Sequence, residues 1–193
     1  CQAMLSRATL LRKARPVPLT GNTIKLRRHL HLHRRVREGP PSATAPAEPL
    51  VLLHGLFGHS GNFNSLTRRF AQTRTVIAAD PRNHGMSQWS DDVSLEAMAQ
   101  DVLELLDDAG LERAALCGHS LGGKVAMVAA LSAPERVSSL IIADIAPVTY
   151  GPNDAGWGSN VAVMEALSAL PGTALADRKD ADQALGAAGI ADA

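Results

Sequence analysis

Between residues 50 and 143 the chain alternates short apolar runs with stretches of helical spacing. Leu50 to Leu53, Thr75 to Ala79, Ala114 to Cys117 and Val137 to Ala143 are short, mostly apolar runs, which is the pattern of strands covered on both faces. Between them, Phe63 to Ala71 reads as a short helix. Leu95, Met98, Val102, Leu105 and Ala109 keep helical spacing with acids on the opposite face, Ser94 is placed to cap them, and Gly110 closes the run. Leu121 to Ser132 predicts a third helix, ended by Pro134. Helices between doubly covered strands imply βαβ units with right-handed crossovers. The expected class is α/β, a mostly parallel sheet flanked by helices.

Outside that region the rhythm weakens. Ile24, Leu26, Leu30, Leu32 and Val36 fall on alternate positions, a half-exposed strand by period, with His29, His31 and His33 on its polar face. Residues 39–49, rich in Pro and Ala, predict a loop or linker. Beyond residue 152, Val161, Met164, Leu167 and Leu170, then Ala181 to Ile190, are Ala-rich and weakly helical.

Ligands in parallel sheets sit beyond the carboxyl ends of the strands. The segments to interrogate are therefore His54 to Gly58, Asp80 to Ser87, Gly118 to Gly123, and Asp144 to Tyr150. Gly118-His119-Ser120-Leu121-Gly122 matches G-x-S-x-G and lies between a predicted strand and a predicted helix, the context that a nucleophile elbow requires. Such a turn pushes the serine hydroxyl clear of the backbone, and glycines two residues away on each side remove the collisions it would cause. The following helix aims backbone N–H groups at the place where an oxyanion develops. His54-Gly55-Leu56-Phe57-Gly58 is placed to supply the second donor, so the N–H groups of Leu56 and Leu121 are the expected oxyanion hole.

These motifs, with Asp80-x-Arg82-Asn83-His84-Gly85-x-Ser87 and the double glycine Gly122-Gly123, resemble the ordered signature of the α/β-hydrolase superfamily. Lys124 directly after the double glycine, and Asp144-Ile145-Ala146-Pro147-Val148-x-Tyr150, narrow the resemblance. They are similar to the subgroup of alpha/beta hydrolase domain-containing protein eleven and its bacterial esterase relatives. The likeness runs over residues 48–152. It implies a serine hydrolase that cleaves a carboxylic ester or thioester through an acyl-enzyme, with no cofactor, and a mitochondrial home for the eukaryotic members. It further implies that the Asp80 and Arg82 loop forms the floor of the site as a structural pair.

A serine becomes nucleophilic when a histidine takes its proton and a carboxylate orients that histidine. Asp144 ends the strand expected next to that of Ser120, and neighbouring strands lie ~4.8 Å apart, so both side chains leave one sheet edge. The resemblance places the triad acid after this strand, at Asp144. The base should follow the acid in the chain, yet no histidine follows His119. His54 and His119 belong to backbone motifs. His59 and His84 lie on loops near the same edge but precede the serine. The expectation is a hydrolase core truncated at its C-terminus, whose base lies outside residues 1–193; a non-catalytic pseudo-hydrolase or binding module is the alternative. Lys124 is expected to lay its stem on the helix and reach solvent.

With 46% apolar and 20% charged residues, 193 residues suffice for one core. No apolar run is long enough for a transmembrane helix, and Cys1 and Cys117 make no disulfide framework. The zero net charge conceals an asymmetry. Residues 1–37 hold ten of the nineteen Lys and Arg and no acid, whereas residues 38–193 hold nine basic and nineteen acidic residues. An acid-free basic arm with Ser, Thr and Leu is the makeup of an organelle transit peptide, mitochondrial or plastid, rather than a nucleic-acid arm. The expected division is a basic targeting segment over 1–21, the first part of the hydrolase core over 22–152, and the start of a helical cap over 153–193. No nucleotide-binding glycine motif occurs, and the Asp91-Asp92 and Asp107-Asp108 pairs lack metal-ligand spacing, so no metal is expected. The expected partner is a small acyl ester or thioester.

Overall fold

The computed structural model describes residues 30–41, 47–151, 154–170, 178–187 and 189–190. Five strands form one sheet: β1 (Arg34–Arg37), β2 (Ala47–Leu53), β3 (Arg74–Ala79), β4 (Ala114–His119) and β5 (Val137–Ala143), in the spatial order β1-β3-β2-β4-β5. β1 runs antiparallel to β3, and the remaining pairs are parallel. The helices are α1 (Asn64–Phe70), α2 (Leu95–Asp108), α3 (Leu121–Ser132), α4 (Ala155–Ser168) and α5 (Arg178–Ala187), with a 3₁₀ turn over Ser60–Phe63.

The unbroken apolar runs split by period two onto the two faces of the sheet. Val51, Leu53, Ile77, Ala79 and Leu116 meet Met98, Val102, Leu105 and Leu106 of α2 and Val125, Ala126 and Ala129 of α3. The alternate residues Leu50, Leu52, Val76, Ala78 and Ala115 form a second, smaller cluster with Phe63, Ala71 and Cys117. Leu50 to Leu53, Val76 to Ala79 and Ala114 to Leu116 are therefore buried, at about 1.5–3 kcal/mol for a large aliphatic residue, whereas β5, expected to be covered on both faces, leaves Leu140 and Ile141 exposed. The Ser94 hydroxyl accepts from the Ala97 amide at 3.2 Å and starts α2 where the sequence places its cap.

The register determines where the site forms. Leu53 is paired with Ala79 on one side and with Gly118 on the other, while His119 is paired with Ala143. Strands β2 to β5 thus end level, and the four segments singled out above leave from one edge.

Two elements differ from the sequence reading. β1 is only four residues long, and His31, Leu32 and His33 precede it; Ile24 to His29 lie outside the described residues. The His33 amide donates to Ser87 Oγ at 2.8 Å and its ring to Asp80 at 2.8 Å, so these groups serve a loop rather than a ladder. Ala47 to Pro49, expected in a linker, begin β2, with a register shift between Ala47 and Leu50 that accommodates the missing N–H of Pro49. The N-terminal arm lies outside the described residues. Among them no helix is long and apolar enough to cross a membrane, and no cluster of His, Cys, Asp and Glu is arranged to hold a metal.

Candidate active site

β4 ends at His119 and α3 begins at Leu121, so Ser120 alone makes the turn. Its backbone sits at φ 50° and ψ −116°, a conformation that costs a non-glycine residue about 1–3 kcal/mol. The surroundings hold it there. The Ser120 amide donates to the Ala143 carbonyl at 3.0 Å, and its own carbonyl accepts from Gly123 at 2.9 Å and Lys124 at 3.1 Å. The glycines are required by space. A Cβ on Gly118 would stand 2.2 Å from the Gly122 carbonyl oxygen, and one on Gly122 would stand 2.3 Å from that of Leu53. A Cβ on Gly55 would lie 3.1 Å from the Ser120 Cβ, so the loop after β2 lies against the elbow.

Leu121 is the first residue of α3, where backbone amides have no partner inside the helix. Leu56 sits in a tight turn closed by Gly58 donating to Gly55 at 3.1 Å, with Phe57 at φ 63°. Leu56, Ser120, Leu121 and Asp144 line one open cleft of about 580 Å³, whose walls include Leu95, Ile145, Val148 and Trp157. The four residues singled out from sequence are thus brought together. Asp144 directly follows β5 at φ 58° with its carboxylate largely exposed, and His119 Nε2 stands 3.5 Å from its Oδ2.

The remaining histidines have other occupations. The His59 ring accepts from the Gly61 amide and caps the 3₁₀ turn. The His84 ring donates to the Arg82 carbonyl at 2.9 Å and stands edge-on to His54, 5.6 Å between centroids. Neither lines the cleft. His54 Nδ1 donates to the Gly55 carbonyl at 2.8 Å, which leaves Nε2 facing Asp80 Oδ1 at 3.4 Å without a hydrogen-bond partner. Burial pulls the His54 pKa below its ordinary 6.5, although the Gly55 carbonyl and Asp80 oppose it.

Asp80 and Arg82 are not a pair. Arg82 forms two 2.6 Å bonds with Asp101 of α2 and donates to the carbonyls of Asp92 and Ala97. That carboxylate raises the Arg82 pKa, while burial pushes the Asp101 carboxyl above its ordinary value against the pull of the two-pronged guanidinium contact. Asp80 is buried and accepts from the amides of Ser60 at 2.5 Å and Met86 at 3.0 Å and from His33. Burial alone would raise its pKa, but the Met86 and Ser60 amides and His33 overcome this and hold it below the ordinary value.

Lys124 also departs from the sequence reading. Its Nζ donates to the carbonyls of Ala146, at 2.7 Å, and of Val148, and lies over the Tyr150 ring, so the side chain lines the cleft. Leu95, expected only as a helix position, and Trp157, which the sequence did not single out, are cleft walls as well.

A level sheet edge carrying a strained serine elbow is the architecture of the α/β hydrolases, and the chain belongs to that family: residues 48–168 match the alpha/beta hydrolase fold. The chain is 47% identical over 127 residues to the sn-1-specific diacylglycerol lipase ABHD11 of Mus musculus, covering 65% of this chain and 40% of that protein. It is 41% identical over 102 residues to esterase YbfF of Escherichia coli, covering 53% of this chain and 40% of that protein. Among solved structures, a marine microorganism esterase superposes with a TM-score of 0.75 at 34% identity, covering 82% of this chain and 58% of that one. The chain thus spans about 40% of the length of the curated relatives it matches.

Proposed function

We propose that this chain carries the nucleophile, oxyanion hole and acid of a serine hydrolase acting on a carboxylic ester or thioester. The observation that carries the reading is Ser120, held at φ 50° in a cleft it shares with Leu56, Leu121 and Asp144. In the proposed reaction Ser120 Oγ attacks the acyl carbon while a histidine takes its proton. The developing oxyanion is held by the N–H groups of Leu56 and Leu121. Collapse expels the alcohol or thiol, which leaves with that proton, and water then releases the acid and restores Ser120. Asp144 orients the histidine, which we place in sequence outside residues 1–193, since no histidine follows His119 in this chain. The esterase and lipase names of the relatives support this class, and the apolar cleft wall suits an uncharged acyl chain.

The test compares residues 1–193 with a version extended through the downstream reading frame, using an activated acyl ester and a serine-reactive fluorophosphonate. The extended form should turn over at roughly 10⁶-fold above water, and the shorter chain at about 10³-fold, the residue left by oxyanion hole and binding. Asp144→Asn in the extended form should cost about 10³–10⁴ in turnover. Turnover or labelling that survives Ser120→Ala would refute the proposal. An extended form that binds acyl esters without hydrolysing them would favour a binding module.

A further inference from the structure

Asp144 stands on a segment, residues 144–150, that belongs to neither strand nor helix, and at φ 58° its backbone does not rest there by preference. Its carboxylate is 84% exposed, so burial does not fix it either. The segment is held from the other side of the cleft. Lys124 sits four residues after Ser120, and its amide donates to the Ser120 carbonyl at 3.1 Å. Its ammonium donates to the carbonyl of Ala146 at 2.7 Å and to that of Val148. The same ammonium lies 4.8 Å from the centre of the Tyr150 ring, and the Tyr150 hydroxyl accepts from the Ala146 amide at 3.1 Å. One residue is therefore bonded through its main chain to the serine and through its side chain to the segment that begins with the acid.

We propose that Lys124, braced by Tyr150, is the positioning residue that sets Asp144 relative to Ser120. The inference rests on the serine-hydrolase reading and extends it to two residues with no step in the reaction. Two donors of the ammonium are spent on carbonyls and its remaining face lies against an aromatic ring, so its charge is engaged by the protein rather than offered to a substrate anion. The contact also joins two features of the sequence that are otherwise unconnected: the lysine after the double glycine, and the run from Asp144 to Tyr150. Each supplies half of one clamp.

The extended enzyme tests this with Lys124→Met, which keeps the stem without the donors, Lys124→Arg, which restores donors and ring contact, and Tyr150→Phe. Misplacing the acid by about an ångström should lower kcat by roughly 10- to 100-fold in Lys124→Met, with KM nearly unchanged. The acid limb of the kcat/KM profile should move to lower pH, because a histidine less supported by a carboxylate is a weaker base. Lys124→Arg should recover most of the activity, and Tyr150→Phe should show a smaller loss with the same displaced limb. In residues 1–193 the clamp reads out without catalysis: exchange of the Ala146 amide should quicken by about tenfold or more in Lys124→Met. Unchanged kcat and acid limb in Lys124→Met, in a background where Ser120→Ala is inactive, overturns the inference. So does a rise in KM alone, which would make Lys124 a substrate contact. If Lys124→Met does not fold, Tyr150→Phe decides: the displaced limb supports the clamp, and a wild-type profile overturns it. Activity persisting in Ser120→Ala is the distinct outcome that defeats the serine-hydrolase reading itself.

Discussion

Gly122→Ala adds one methyl group where the sheet leaves no room for it. The new carbon would stand 2.3 Å from the Leu53 carbonyl oxygen, 2.5 Å from its carbon and 2.7 Å from the His54 carbonyl oxygen. Contacts between non-bonded carbons are comfortable at about 3.5–4.0 Å, so roughly an ångström must be found. Leu53 cannot give it, because β2 is bonded on both sides, to β3 and to β4. The helix must therefore lift, and α3 carries Val125, Ala126 and Ala129 into the core with no exposed surface. Overpacking of this kind costs about 1–3 kcal/mol, and two unyielding backbones place this site at the upper end. Ala gains up to about 1 kcal/mol over Gly in a helix, so the net loss should be about 2 kcal/mol. Gly123→Ala is the internal comparison, since its Cβ meets the Ile145 Cγ2 at 2.6 Å, the tip of a side chain that can turn away. Gly186→Ala in α5 meets nothing within 4 Å and should be neutral to stabilising. Urea denaturation of the three variants should rank them in that order, with fluorophosphonate labelling of Ser120 reduced most in Gly122→Ala. Equal midpoints for Gly122→Ala and Gly123→Ala would refute the claim that an immovable strand backbone sets the cost.

Arg82→Met should destabilise by about 3–5 kcal/mol, because it strands the buried Asp101 carboxylate, whereas the double variant with Asp101→Leu should recover most of that loss; denaturation midpoints check this, and a double variant no better than the single refutes it. His54 is held neutral in the fold, while the unfolded chain takes up a proton below its ordinary 6.5, so stability falls as pH drops through that value toward the depressed folded pKa. Asp80 is held below its ordinary 3.8 and stays charged throughout that window, so its own contribution is lost only at more acid pH. The stability advantage of wild type over His54→Asn should therefore narrow between about pH 7 and 5, and thermal melts showing a constant gap would refute this assignment.

Strands β2, β3 and β4 were legible because each carries an apolar run covered on both faces; β5 was legible as a strand, but Ser138 and Ser139 interrupt its apolar run and Leu140 and Ile141 stay exposed. The elbow was legible because its requirement is steric: Gly118 and Gly122 stand where a Cβ would strike backbone. Pairings between distant segments were not. Nothing in the spacing joins Arg82 to Asp101, whose partnership depends on the face that α2 turns to the loop after β3. Lys124 read as a solvent-reaching side chain because the carbonyls it meets belong to residues 146 and 148, and carbonyls carry no sequence signal. His119 read as part of a backbone motif, yet its neighbour across the strand pair is Ala143, which brings it within 3.5 Å of the residue that follows. Among the described residues the expected strand begins only at Arg34, because period two records alternation, not partnership, and the His33 amide goes to Ser87 instead of a ladder.

The buried carboxylate of Asp80 has a consequence for how the protein comes apart. Its donors arrive from the segment before β1, from the 3₁₀ turn after β2 and from the loop after β3. Withdrawing any one of them leaves a charge short of a partner inside the protein, at a cost of about 1–3 kcal/mol or more. Opening one of these segments thus weakens the hold on the other two. The three should therefore open as one cooperative unit rather than fray one at a time. A single carboxylate so ties the loops after β2 and β3 to the segment that leads into β1.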